Sequence, residues 1–188
     1  MYVAWGKRFF DFFFSIVALI FLSPLLTIII ILIYFFDSGP IFFRHKRVGN
    51  KGKKFLMLKF RSMPVGTKNL SSDKIGEVRV SWVGNIIRRT NIDELPQLFN
   101  ILKNEMSIVG PRPCAPYQKK LIKYRRKNLS FYCKPGLTGL AQVNSYNNMS
   151  IQKKANFDAL YKKNISLGTD LKIIFKTFSY LFKPPPIY

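Results

Sequence analysis

Residues 90–113 read TNIDELPQLFNILKNEMSIVGPRP. Two adjacent carboxylates, Asp93 and Glu94, fall where a helix should begin, in a chain with only nine acids against 31 Lys and Arg. Asp93 suits an N-cap, its side chain accepting the free N–H groups of a first turn. Pro96 is tolerated in that turn because its missing N–H had no partner there. Leu95, Leu98, Phe99 and Leu102 recur at helical spacing and predict one buried face. The helix should end near Asn104, Ser107–Val109 should be extended, and Gly110-Pro111-Arg112-Pro113 should form a rigid turn that presents Arg112.

That arrangement has a chemistry. A carboxylate at a helix N-terminus should stay ionised. An ionised Asp93 could serve as a nucleophile or as a ligand of a hard cation, with Glu94 sharing the cation or acting as acid and base. Arg112 between two prolines offers a planar fork for a phosphate. The bland alternative is that Asp93 only caps and Glu94 only complements the dipole.

The rest of the composition narrows the class. A chain of 188 residues is one domain of ordinary size. Its formal charge is +22, yet 48% of residues are hydrophobic, which does not suit a disordered basic tail. A folded protein with this balance works against something anionic: nucleic acid, a phospholipid surface or phosphorylated substrates. His45, the only histidine, and two cysteines leave no Ser-His-Asp chemistry, zinc cluster or disulfide framework. In the run RHKR, His45 reads as a surface or headgroup contact.

From Phe12 to Phe36 the chain carries no formal charge. A helix of that length, about 37 Å, would cross a hydrocarbon core of about 30 Å. The run is too long, and lacks the small-residue site, for a cleavable signal peptide. Ser23-Pro24 interrupts its middle. Lys7 and Arg8 precede it, and Arg44, Lys46, Arg47, Lys51, Lys53 and Lys54 follow it, so both ends are expected on the cytoplasmic side. A helix that enters the bilayer, bends at Ser23-Pro24 and returns satisfies both facts, with Ser23 helping to satisfy the freed backbone groups. A kinked single-pass anchor is the alternative.

Downstream, Ile41–Arg44 and Phe55–Arg61 alternate as a hairpin around Asn50–Lys53, with Lys59 and Arg61 on one side as candidate phosphate contacts. Pro64–Val78 reads as a loop, with Gly66, Asn69, Ser71, Ser72, Asp73 and Gly76 as its turn formers. Trp82–Thr90 is short and amphipathic, with Ile86 and Ile87 inward and Arg88 leading to the dyad. Tyr117–Asn128 is a basic helix with Leu121 and Tyr124 as its apolar stripe, suited to an anionic leaflet. Lys134–Asn144 reads as a shaped loop and then a strand that offers Gln142 and Asn144 to a substrate. Two further helices are expected. Ile151–Asn164 places Phe157, Leu160 and Tyr161 inward, and Asp170–Lys183 does the same with Leu171, Ile174, Phe175, Phe178 and Leu181.

Several of these pieces together resemble the small monotopic phosphoglycosyl transferases of the bacterial sugar transferase family. They are the apolar run with Ser23-Pro24, LKFRSM at 58–63, IDELPQLFNILKNEMSIVGPRP at 92–113 and PGLTGLAQVN at 135–144. The resemblance implies transfer of a phosphosugar from a UDP-sugar to polyprenyl (undecaprenyl) phosphate, with UMP released. It carries the nucleophile to Asp93, the partner acid to Glu94 and Mg²⁺ to the pair. Lys59, Arg61, Arg88, Arg112, Gln142 and Asn144 are the candidate substrate contacts. It also implies a bacterial inner membrane protein facing the cytoplasm on an anionic phospholipid surface, with a homodimer as one candidate assembly. Ser145 and Tyr146 stand where many relatives carry Gly-Arg, which leaves the sugar open.

The predicted fold is thus mostly α, of the α+β class. A re-entrant membrane helix broken at Ser23-Pro24 occupies residues 1–36. A catalytic domain occupies 37–188, with a small hairpin and interfacial helices around a catalytic helix. Two competing functions are a non-catalytic membrane scaffold, which the intact Asp93-Glu94 and Arg112 disfavour, and a basic nucleic-acid-binding membrane protein, for which no recognised signature is present.

Overall fold

A computed structural model of the chain describes residues 2–67, 80–144 and 149–181. The expected loop residues Asn69, Ser71, Ser72, Asp73 and Gly76, the pair Ser145 and Tyr146, and Pro184-Pro185-Pro186 lie outside the described residues.

After a π-helical turn, Tyr2–Gly6, one helix runs from Lys7 to Phe36 (α1). It is long and apolar enough to cross a membrane. The sequence predicts a break at Ser23-Pro24, but the helix continues through it as a single element. Pro24 lacks the N–H that would have bonded the Ile20 carbonyl, and the Ser23 hydroxyl donates to that same carbonyl at 2.8 Å.

The side of α1 that packs inward is narrow. Leu26, Ile29 and Ile33 close over Phe60, Val83 and Ile87. Leu19 and Leu22 lie against Phe55, Met57, Leu98 and Ile101. Phe9, Phe13, Ile20, Phe21, Ile28, Ile31 and Phe35 face outward.

Both ends of α1 are fastened to the same body. At the start, Arg8 donates to the carbonyls of Ile101 and Leu102 at 2.7 and 2.9 Å, and the Asp11 carboxylate accepts the Ile108 N–H at 3.0 Å. At the end, Phe36 meets Trp82 edge-on and Arg61 donates to the Asp37 carbonyl.

Strands Phe42–Val48 (β1) and Lys54–Phe60 (β2) form the expected antiparallel hairpin, with Phe43 opposite Lys59. Its turn needs two left-handed residues, Lys51 and Gly52. Helix Trp82–Arg89 (α2) follows, capped by the Ser81 hydroxyl, which accepts the Gly84 N–H. Only Ile87 of the expected pair is buried there; Ile86 is exposed.

A 3₁₀ turn, Ile92–Glu94, leads into helix Gln97–Leu102 (α3). Strand Ser107–Val109 (β3) pairs in parallel with Gly136–Thr138 (β4). Between these strands lies the basic helix Lys119–Lys127 (α4). Helices Leu140–Val143 (α5), Ile151–Lys163 (α6) and Leu167–Leu181 (α7) complete the described chain. Within Lys134–Asn144 the strand therefore comes early and a short helix carries Gln142, where the prediction had a loop followed by a strand.

Three helices turn differently from the expectation. In α4, Tyr124 is exposed and Arg125 is buried beside Leu121. In α6, Tyr161 is buried as expected, but Leu160 is exposed and Asp158 is buried. In α7, Leu171, Phe175 and Phe178 face outward and Asp170 and Ile173 are inside. The reason is a set of buried polar partners. Asp170 accepts from Lys7 and from the Tyr2 hydroxyl, each at 2.6 Å, and lies 2.8 Å from the Tyr161 hydroxyl. An ion pair of that kind fixes which side of a helix faces in, against its apolar periodicity.

Candidate active site

Asn91, in the left-handed conformation, ends α2 and turns the chain so that the next two acids point back at the hairpin. Asp93 is buried, and its Oδ2 lies 3.2 Å from the Lys59 ammonium. The same ammonium donates to Glu94 Oε1 at 2.8 Å. Arg112 approaches Glu94 from the other side as a two-pronged fork, at 2.6 Å to Oε1 and 3.3 Å to Oε2. Two carboxylates and two cations from three separate segments thus meet at one point.

The predicted N-cap does not form. α3 starts after Pro96 with no side-chain cap, and Asp93 faces Lys59 instead. The ionisation of Asp93 is therefore set by its neighbours rather than by a helix dipole. Burial pushes its carboxyl above the ordinary aspartate value, and the Glu94 charge adds to that, while Lys59 and Arg112 oppose it. For Glu94, burial pushes up as well. There the Arg112 and Lys59 charges outweigh it and hold the carboxyl well below its usual range. The pair is split into a more basic Asp93 and a firmly ionised Glu94.

The placement of Lys59 depends on Asn100, a buried residue of α3. Its carboxamide accepts the Leu58 N–H at 2.9 Å and donates to the Leu56 carbonyl at 2.8 Å. It thereby continues the ladder along the edge of β2 that β1 leaves open. Arg112 is placed by the β3–β4 pair. Gly110 donates to Thr138 and Gly136 donates to Pro111, both at 2.9 Å. A Cβ on Gly110 would lie 2.3 Å from the Lys134 carbonyl oxygen, so the close approach requires glycine.

The other candidates divide. Arg88 is half-buried in the last turn of α2, which packs on the turn carrying the dyad. Arg61 is buried and tied to Asp37, through that residue's carbonyl and, at 3.5 Å, its carboxylate, and so braces the start of the hairpin. Gln142 donates to Leu137 at 3.2 Å and Asn144 to Leu140 at 2.8 Å. Both bond their own local backbone, and their helix packs on α6 and α7.

His45, read as a surface or headgroup contact, is half-buried near the site. Arg47 is half-buried, 3.2 Å from His45 Nδ1. Burial, Arg47 and Lys59 lower the His45 pKa to about 4, so this ring is neutral at pH 7. Among the described residues no group of three or more His, Cys, Asp or Glu side chains forms a metal cluster. The acidic donors at the site are Asp93 and Glu94.

The profile of a family described as "Bacterial sugar transferase" matches residues 2–184. The chain belongs to that family. The exopolysaccharide production protein ExoY of Sinorhizobium fredii is 40% identical over 195 residues, covering 92% of this chain and 83% of that protein. The UDP-galactose-lipid carrier transferase of Erwinia amylovora is 38% identical, covering 97% of this chain and 41% of its own length. The UDP-glucose:undecaprenyl-phosphate glucose-1-phosphate transferase of Escherichia coli is 37% identical, covering 91% of this chain and 39% of its own. The chain thus spans less than half of the two larger relatives. The expected enzyme class, a phosphoglycosyl transferase, follows from the bacterial sugar transferase membership.

Proposed function

We propose that this bacterial sugar transferase moves a sugar phosphate from a UDP-sugar to undecaprenyl phosphate through a covalent intermediate on Asp93. The observation that carries the reading is the buried Asp93 carboxylate, made more basic by burial, beside a Glu94 that Lys59 and Arg112 keep ionised. The substrate class comes from the relatives in Erwinia and Escherichia, whose names specify a UDP-galactose–lipid carrier pair and a UDP-glucose–undecaprenyl phosphate pair.

In the first half-reaction an Asp93 oxygen attacks the phosphorus that bears the sugar. The bond from that phosphorus to the bridging oxygen breaks, and UMP leaves with the electron pair. In the second half-reaction an oxygen of the lipid phosphate attacks the same phosphorus. The bond to Asp93 breaks and the carboxylate is regenerated, leaving a polyprenyl diphosphate sugar. Lys59 and Arg112 offset charge on the phosphoryl oxygens as it develops.

Asp93 and Glu94 would hold Mg²⁺. Two carboxylates completed by phosphate oxygens and waters are a donor set this ion takes, so the residues fit it. Bound there, it would supply further neutralisation of phosphate charge.

The protein sits in one leaflet of the bacterial inner membrane and faces the cytoplasm. Support comes from α1, whose two ends are both fastened to the catalytic body while its outer side exposes phenylalanines and isoleucines. Cysteine probes near residues 2 and 50 should both label from the cytoplasm; labelling at only one end would contradict this placement.

The reaction is tested by incubating the full chain in undecaprenyl-phosphate-containing membranes with a panel of UDP-sugars. UMP release with one of them is expected. No release with any would overturn the reading.

A further inference from the structure

Arg112 reaches the dyad on a side chain that is 46% exposed, so its aim depends on its backbone. That backbone is unusual. Pro111 and Pro113 flank it and neither has an N–H, so hydrogen bonds can fix the segment mainly through its carbonyls. The Pro111 carbonyl accepts the Gly136 N–H. The Arg112 carbonyl accepts Nη1 of Arg125 at 3.0 Å.

Arg125 is itself held. It is buried in α4, its Nε donates to Asp158 Oδ2 at 2.8 Å, and its Nη2 lies 2.7 Å from the same oxygen. Asp158 is buried on α6. A second tie between the two helices runs from Asn128 to the Ala155 carbonyl at 2.7 Å. The guanidinium therefore uses one edge on Asp158 and another on Arg112, a geometry that lysine cannot reproduce.

We infer that Arg125, locked by Asp158, is a positioning residue that aims Arg112 at Glu94. The inference rests on Arg112 acting at the site as set out above. Nothing in Arg125 touches the dyad; it acts through the Arg112 main chain. Apolar residues of similar volume often replace a buried ion pair without loss of stability, so packing α4 on α6 does not by itself call for Arg125 and Asp158.

A double-mutant cycle separates positioning from support. The variants are Arg125→Met with Asp158→Leu, Arg112→Ala, and the three changes combined, each in the full chain. Replacing both partners leaves no unpaired buried charge, so the thermal midpoint should stay near that of the wild type. UMP release should nonetheless fall about 10- to 100-fold in kcat/KM, the scale of a misplaced catalytic group.

In the Arg112→Ala background the same pair of changes should cost little more, because the side chain being aimed is gone. Should the paired replacement not fold, Arg125→Lys, which keeps the charge beside Asp158, should show the same loss and the same non-additivity. Wild-type kcat/KM in a folded pair variant, or effects that simply multiply with Arg112→Ala, would overturn the inference. Wild-type activity of Arg112→Ala alone would instead overturn the role of Arg112 itself.

Discussion

The side-chain carboxamide of Asn100 accepts the backbone N–H of Leu58 at 2.9 Å, standing in for a third strand beside β2. The residue after Leu58 is Lys59, whose ammonium bridges Asp93 and Glu94. The position of the lysine is thus set by a helix residue six places beyond Glu94. Removing the carboxamide would leave the Leu58 N–H and the Leu56 carbonyl without protein partners. Asn100→Ala should therefore lower stability by about 2 kcal/mol or more, and should lower UMP release with it. Thermal unfolding alongside turnover checks this; unchanged values of both would show that β2 is held elsewhere.

The two acids should respond oppositely to neutralisation. Asp93 titrates above its ordinary value in the fold, so its ionised form opposes folding at pH 7. That opposition is absent in acid and grows as the pH rises from the ordinary value through the raised one. Glu94 titrates below its ordinary value, so it contributes stability above that value, which is lost as the pH falls through the depressed one. Asp93→Asn should thus raise the melting temperature while abolishing turnover, and Glu94→Gln should lower it. Shifts of about 2–4 °C correspond to 1 kcal/mol in a chain of this size. Scanning calorimetry of the two variants at pH 7 reads both signs.

The acid limb of the kcat/KM profile should lie above the pH at which a free aspartate ionises, since burial is the largest influence on Asp93. Lys59 is the main opposing charge. Lys59→Met removes it, so the Asp93 carboxyl should titrate higher still and the acid limb should move to higher pH. A limb that stays in place in a folded Lys59→Met enzyme would mean that another group controls it.

Glycine matters at one position and not at another. A Cβ on Gly110 would lie 2.3 Å from the Lys134 carbonyl oxygen and 2.9 Å from the Gly136 nitrogen. Gly110→Ala should push β3 from β4 and carry Arg112 with it, with a loss of activity of about tenfold or more. Gly168, early in α7, has nothing within 4 Å of such a Cβ. Gly168→Ala should leave activity alone and add up to about 1 kcal/mol of stability. Parallel turnover and melting measurements on the two variants decide it.

The grouping of the candidate site was legible in the sequence where it lay in one run. Asp93, Glu94 and Arg112 come from residues 90–113, and the alternation of the hairpin put Lys59 on the correct side. Alternation gives a side but not a partner, which is why Arg61 reads only as a phosphate contact and its tie to Asp37 is not foreseen. Asn100, Arg125 and Asp158 escaped because their partners lie tens of residues away and their polarity argues locally for solvent. The inward side of α7 is rotated rather than reversed, for a related reason, and Ile174 still packs on the core as expected. Apolar periodicity assigns Phe175 and Phe178 to a core, whereas Asp170 turns the neighbouring side inward and leaves them exposed.

The central claim is a covalent sugar phosphate on one carboxylate. Mass spectrometry of the full chain, mixed with its UDP-sugar in the absence of lipid acceptor, tests it most directly. The account predicts one equivalent of UMP and a peptide containing Asp93 heavier by the phosphosugar, both absent in Asp93→Asn. Release of UMP only when lipid phosphate is also present, with no adduct on that peptide, would contradict it.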